Sequence, residues 1–232
     1  LHESIGDVQG KAATLHQLAG IYAQQGQVEQ AIDLYQQSLA AEESIGNVQG
    51  KAATLANLAY LAGQQGDTTK QLQFNLQAAA SLAQIKAYPN LVTVLSNLGA
   101  TPSEQQSAYL AQAIWLSLRI QMPFVNVFTL IRVLFNQVPQ ADPLEPLLAT
   151  TALFLCQQRG EAHPQLNDLQ TTSLKMLVAA AAAQGIQLDD MEALGNWMEQ
   201  QQLNDPQIFL PQLMQQLETL VGDAWVFDPS LL

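Results

Sequence analysis

Residues able to do covalent or metal chemistry are few in this chain of 232 residues, and their neighbours argue against using them that way. Cys156 and His163 are the types a thiol nucleophile and its base would need. Cys156, however, closes the run Leu153-Phe154-Leu155-Cys156, where a thiol serves as a small buried hydrophobe. His163 precedes Pro164 at an expected helix start. His2, His16 and His163 share no ligand spacing with one another or with Cys156, so no metal set is expected. Asp189-Asp190-Met191-Glu192 suggests a cation, but carboxylates in a helix's first turn are already favoured by the macrodipole. Gly6-x-x-x-Gly10 is no phosphate loop, because no strand precedes it and Lys11 is not followed by Ser or Thr. The expectation is a non-enzyme, with no catalytic residue, cofactor or metal.

Composition narrows the partners. The net charge is −12, and a strongly acidic chain is poorly suited to neutralising nucleic-acid phosphates or to sitting on an anionic membrane. Hydrophobic residues at 48% give ample material for a core. A single cysteine cannot form an internal disulfide, which points to a reducing, cytoplasmic setting. The most apolar stretch, 123–135, is interrupted by Asn126, Thr129 and Arg132, short of the roughly 18 residues a membrane span needs. Charge is uneven: Lys86, Arg119 and Arg132 face Glu104 alone over 71–139, whereas twelve carboxylates face Arg159 and Lys175 over 140–232. The middle of the chain is where an acidic peptide would not be repelled.

What must position any surface is a repeat. Ile5-Gly6-Asp7-Val8-Gln9-Gly10-Lys11-Ala12-Ala13-Thr14-Leu15 returns 40 residues later as Ile45-Gly46-Asn47-Val48-Gln49-Gly50-Lys51-Ala52-Ala53-Thr54-Leu55. Glu3-Ser4 sits in register with Glu43-Ser44, so residues 1–4 are expected to end a preceding unit, and the chain to be a fragment of a longer array. Leu15, Leu18, Ala19 and Tyr22 form one helical stripe, and Val28, Ala31, Ile32, Tyr35 and Leu39 a second. Gly26 and Gly46 stand where a left-handed residue ends a helix. Asp7, Asn47 and Asp67 stand where N-caps are wanted. Small Ala19 and Ala31 let the two helices approach.

The units resemble tetratricopeptide repeats. The large–Leu–small–Tyr pattern of that family's first helix and the small–aromatic–small pattern of its second are carried by Leu15, Leu18, Ala19, Tyr22, Ala31, Tyr35 and Ser38. The period of 40 is similar to the longer-linker subtype of kinesin light chains, spindle-orientation adaptors and bacterial peptide receptors. The match is weaker over 45–84, where Gln71 and Asn75 replace a small and an aromatic residue. The resemblance implies an all-α, right-handed α-solenoid of antiparallel helix pairs whose degenerate C-terminal helices cap the array. Units are expected at 5–44, 45–84 and 85–122, the last with Thr101-Pro102-Ser103-Glu104 as a cap and its second helix over 104–121. Degenerate pairs follow over 123–222: helices at 123–138 and 142–158 (from Asp142-Pro143, with Glu145 in the capping box), then 164–184 and 189–202. A last helix falls between Pro206 and Gly222, kinked or delayed at Pro211. Residues 223–232 form an apolar tail expected to fold back on the last helices, or else to occupy a groove.

In such an array the first helices line the concave side. The position before the motif Leu gives a column of Gln17, Asn57, Asn97 and Arg132, which in related repeats holds the backbone of an extended peptide. A carboxamide suits that task because it both donates and accepts. Asn57 and Asn97 are expected to point into the groove with amides unmet by local backbone. His16 is expected to face the groove one position earlier, with Ala56 and Ser96 leaving room at the same place. The implied partner is a protein or peptide segment, within a larger regulator. The alternative is a structural spacer or oligomerisation element that self-associates.

Overall fold

The computed structural model describes residues 5–137, 144–159, 166–187 and 189–232. Eleven α-helices and one short 3₁₀ turn are present among the described residues, and no strand. His2, Glu3, Ser4, Asp142, Pro143, His163 and Pro164 lie outside them.

The chain divides into two compact units: residues 1–109 with 224–232, and residues 110–223. In the first, α1 (Ile5–Gln24), α2 (Val28–Ser44), α3 (Val48–Gln64), α4 (Thr68–Gln84) and α5 (Tyr88–Ala100) follow one another through tight turns. Each packs on the next, and α1 also touches α3 directly. This is the arrangement of stacked helix pairs that the repeat called for. Most of the two stripes forms its core: Ala19, Ala31, Tyr35, Leu58 and Leu61 are buried together, with Tyr22, Val28, Ile32 and Phe74 packed around them, while Leu18 stays exposed. Ala19 and Ala31 are fully buried, as a close crossing of α1 and α2 requires.

The turns recur every 20 residues. Gly26, Gly46, Gly66 and Lys86 all take a positive φ. In each turn the next residue's N–H reaches back five residues, as from Gln27 to the Tyr22 carbonyl and from Ala87 to the Leu82 carbonyl. Asn47 and Asp67 cap α3 and α4 by accepting from the backbone N–H groups of Gly50 and Lys70. Asp7 does not cap: α1 begins at Ile5 and runs through it, leaving Asp7 in the first turn. The departures at Gln71 and Asn75 are absorbed locally. Gly63 leaves room for the Gln71 side chain, which would stand 2.9 Å from a Cβ there, and Asn75 is buried with its Oδ1 unpaired.

The second unit holds most of α6 (Gln106–Arg119) with α7 (Phe124–Gln137), α8 (Leu144–Arg159), α9 (Leu166–Ala183), α10 (Met191–Gln200) and α11 (Pro206–Val221). Here α8 is central, packing on α7, α9 and α11. Phe154 meets Phe209 edge-on at 5.8 Å, and Trp115 donates to the Glu218 carboxylate at 2.9 Å. α6 starts at Gln106, two residues later than the sequence suggests. α11 starts at Pro206 rather than Pro211, because Asp205 caps it by accepting from Gln207 N–H.

The tail is a correction. Residues 224–232 belong with residues 1–109 and not with the last helices. Phe227 is buried, Trp225 stands edge-on to it at 5.3 Å, and Asp228 caps the 3₁₀ turn Pro229–Leu231.

Candidate partner-binding surface

Two of the residues that suggested catalysis or metal binding have a described place in the helices. Cys156 is buried within α8. Asp190 caps α10, accepting from the backbone N–H groups of Glu192 and Ala193. Among the described residues no group of three or more His, Cys, Asp or Glu could hold a metal ion, and no helix is long and apolar enough to cross a membrane.

The column residues lie on the first helices. Gln17 on α1 and Asn97 on α5 are exposed, and the Asn97 carboxamide has no protein partner among the described residues. Arg132 is exposed on α7, in the other compact unit. Asn57 on α3 meets a side chain of the preceding repeat rather than local backbone. It is half-buried, and its Nδ2 stands 3.2 Å from Nε2 of His16 on α1.

That contact is the outer end of a chain the sequence did not reveal. His16 Nδ1 is 2.8 Å from the Thr54 hydroxyl, and Thr54 donates to Glu42 Oε1 at 3.2 Å. Ser38 lies 3.4 Å from the same oxygen and donates to the Ala12 carbonyl at 2.9 Å. Ser38, Glu42 and Thr54 are all buried, and Glu42 Oε2 has no partner. Lys51, the nearest cation in sequence, pairs with Glu43 instead. Burial therefore raises the Glu42 carboxyl above its ordinary value, opposed by the bonds from Thr54 and Ser38. Burial lowers the His16 imidazole below its own.

Polarity follows from the acid. The Thr54 hydroxyl donates its one proton to Glu42 Oε1, so its oxygen accepts from His16 Nδ1–H. Nε2 is then bare and accepts from Asn57. Asn57 Oδ1 is the acceptor that remains.

A groove of about 340 Å³ lies between α3 and α5, lined by Ala53, Ala56, Leu82, Thr93 and Val94 with Gln49 and Asn90. Asn57 and Asn97 follow Ala53 and Thr93 by one helical turn, on the same helix faces. Residues 10–84, which supply α2, α3, α4 and most of α1, match the model of the tetratricopeptide repeat. Residues 10–84 are tetratricopeptide repeats. No curated protein matches it.

Tetratricopeptide repeats mediate protein–protein interaction, and the matched residues include Gln17, Asn57 and His16. What sequence reasoning missed is the Ser38–Glu42–Thr54 cluster. The signal was available, since Glu42 falls on the buried stripe of its repeat, three residues after Leu39, where a charge is out of place.

Proposed function

We propose that the face formed by the first helices binds an extended protein or peptide segment. Asn57 and Asn97 pair with its backbone, Gln17 extends the column, and His16 holds Asn57 in orientation; Arg132, in the other compact unit, is a partner contact of its own. The protein acts in the cytoplasm as a scaffold module of a larger regulator rather than as an enzyme. The observation that carries this reading is the pair of carboxamides, one open and one offering Oδ1, beside a groove with no ionised side chain in its walls. The test is to select peptides from a random display library on the wild-type chain and to measure their affinity for Asn57→Ala/Asn97→Ala. Loss of about tenfold or more with retained helical content is expected; unchanged affinity refutes the reading.

A second reading, self-association, rests on a different observation. Leu18 and Ile21 are 41% and 49% exposed, whereas their counterparts one unit later, Leu58 and Leu61, are each 1% exposed. A second copy of the chain could cover this end of the array. Sedimentation of the wild type against Leu18→Lys/Ile21→Lys decides it, because a wild type that is monomeric at high concentration removes the reading.

A further inference from the structure

Two successive repeat interfaces are built from the same positions, 40 residues apart, and are filled differently. In the first, His16 stands edge-on to Tyr35 with ring centroids 5.2 Å apart, and its two nitrogens meet Thr54 and Asn57 in front of Glu42. One period later Ala56 stands for His16, Asn75 for Tyr35, Leu82 for Glu42, Val94 for Thr54 and Ala78 for Ser38. The polar cluster disappears as a set, and two rings go with it. In its place is the groove of about 340 Å³, walled by Ala56, Leu82 and Val94. Those three are the counterparts of His16, Glu42 and Thr54.

We propose that this groove is a side-chain subsite of the partner-binding surface, taking an uncharged aromatic side chain from the bound segment. The ring stands where the His16 imidazole stands one unit earlier. The assignment rests on the first-helix face being the partner-binding surface.

The chemistry of the walls selects the ring. A cation or carboxylate would be desolvated against Leu82 and Val94 with no counter-charge, which is costly. An imidazole would lose the hydroxyl that Thr54 gives His16, since Val94 has none. A neutral ring loses little and gains apolar contact. The space suffices, for an apolar cavity of about 150 Å³ already accepts benzene. Asn97, exposed one turn beyond Thr93, is placed to hold the backbone from which the ring hangs.

The test uses the full chain, its alanine, leucine, valine and threonine methyls followed by NMR, with p-cresol and indole as side-chain probes and isobutanol as the non-aromatic control. Saturable shifts of the Ala53, Ala56 and Val94 methyls at millimolar probe are expected, and weaker ones with isobutanol. Ala56→His, which rebuilds the ring of the first interface, should weaken ring binding about tenfold or more. Ala53→Phe covers the groove from its exposed rim and should do the same, so the result does not depend on one variant folding. Rings that shift none of these methyls, or that bind both folded variants as they bind wild type, overturn the proposal. Peptide binding insensitive to Asn57 and Asn97, with the rings still seated, refutes the backbone-holding reading and leaves the subsite standing.

Discussion

Asn57 Nδ2 lies 3.2 Å from His16 Nε2, so a carboxamide on one repeat is held by a ring on the repeat before it. His16 is fixed in turn by Thr54 at 2.8 Å and by the Tyr35 ring at 5.2 Å. Hydrogen bonds of this kind contribute about 0.5–1.5 kcal/mol each, and an edge-to-face ring pair a similar amount. His16→Ala should therefore cost about 2–3 kcal/mol by urea unfolding, far more than an exposed substitution. A loss within about 0.5 kcal/mol would mean that the chain contributes no stability.

Glu42 gives the fold a pH dependence of known sign. Burial raises its carboxyl above the ordinary 4.5. The stability contributed by its neutral form is complete below 4.5 and is lost as pH rises through the raised folded value. Glu42→Gln stays neutral, so its unfolding free energy should decline less than that of wild type above pH 4.5. His16 has the opposite sign: its value is depressed from 6.5, so its share is complete above 6.5 and lost as pH falls. Urea midpoints of wild type and Glu42→Gln that run parallel above pH 4.5 would contradict the assignment.

Gly10 and Gly50 occupy the same place in successive repeats and should respond oppositely to alanine. A Cβ at Gly10 meets nothing within 4 Å, whereas at Gly50 it would stand 2.7 Å from Glu42 Oε1 and collide with the Asn47 cap. Gly10→Ala should gain about 0.5–1 kcal/mol from helix propensity. Gly50→Ala should lose about 1 kcal/mol or more, because it displaces an N-cap. Thermal shifts of the same sign would refute the contrast.

Leu58 and Leu18 make a similar pair. Leu58→Ala removes a side chain that is 1% exposed and should cost about 2–5 kcal/mol. Leu18→Ala, at 41% exposure, should cost well under half as much, provided the chain is monomeric. Equal costs would mean that the end face at Leu18 is covered in solution.

Why these paired positions differ could not be read from the repeat itself. The period, the stripes at Leu15 to Tyr22 and Val28 to Leu39, and the glycine-ended helices were legible because each depends on local periodicity or on one residue's backbone freedom. The helix ends at Lys86, Gln121 and Gln202 carry no glycine, yet all take the left-handed conformation. The exchange of His16, Tyr35, Glu42 and Thr54 for Ala56, Asn75, Leu82 and Val94 is visible as letters. Its meaning needs three helices brought together, since α1, α2 and α3 each contribute to one cluster. The tail at 224–232 was legible as apolar but not as a part of the first unit, because residues 110–223 separate the two in sequence.

Lys86 is where the repeat's own rule was broken at a cost. Gly26, Gly46 and Gly66 turn their helices at φ of 75°, 67° and 76°, and Lys86 makes the same turn at 56° with a Cβ. Its N–H donates to the Ala83 carbonyl at 3.1 Å and that of Ala87 to the Leu82 carbonyl at 2.9 Å, so the motif is intact and only the conformational penalty remains. A side chain in this region costs about 1–2 kcal/mol, and glycine returns part of the gain through the freedom it adds to the unfolded chain, about 0.4–1 kcal/mol. Lys86→Gly should thus stabilise by roughly 0.5–1 kcal/mol, seen as a higher melting temperature of the transition that reports α4 and α5. Gly66→Lys is the reciprocal change and should lose about as much. A Lys86→Gly chain that melts lower than wild type would show that the Lys86 side chain makes a contact worth more than the strain it bears.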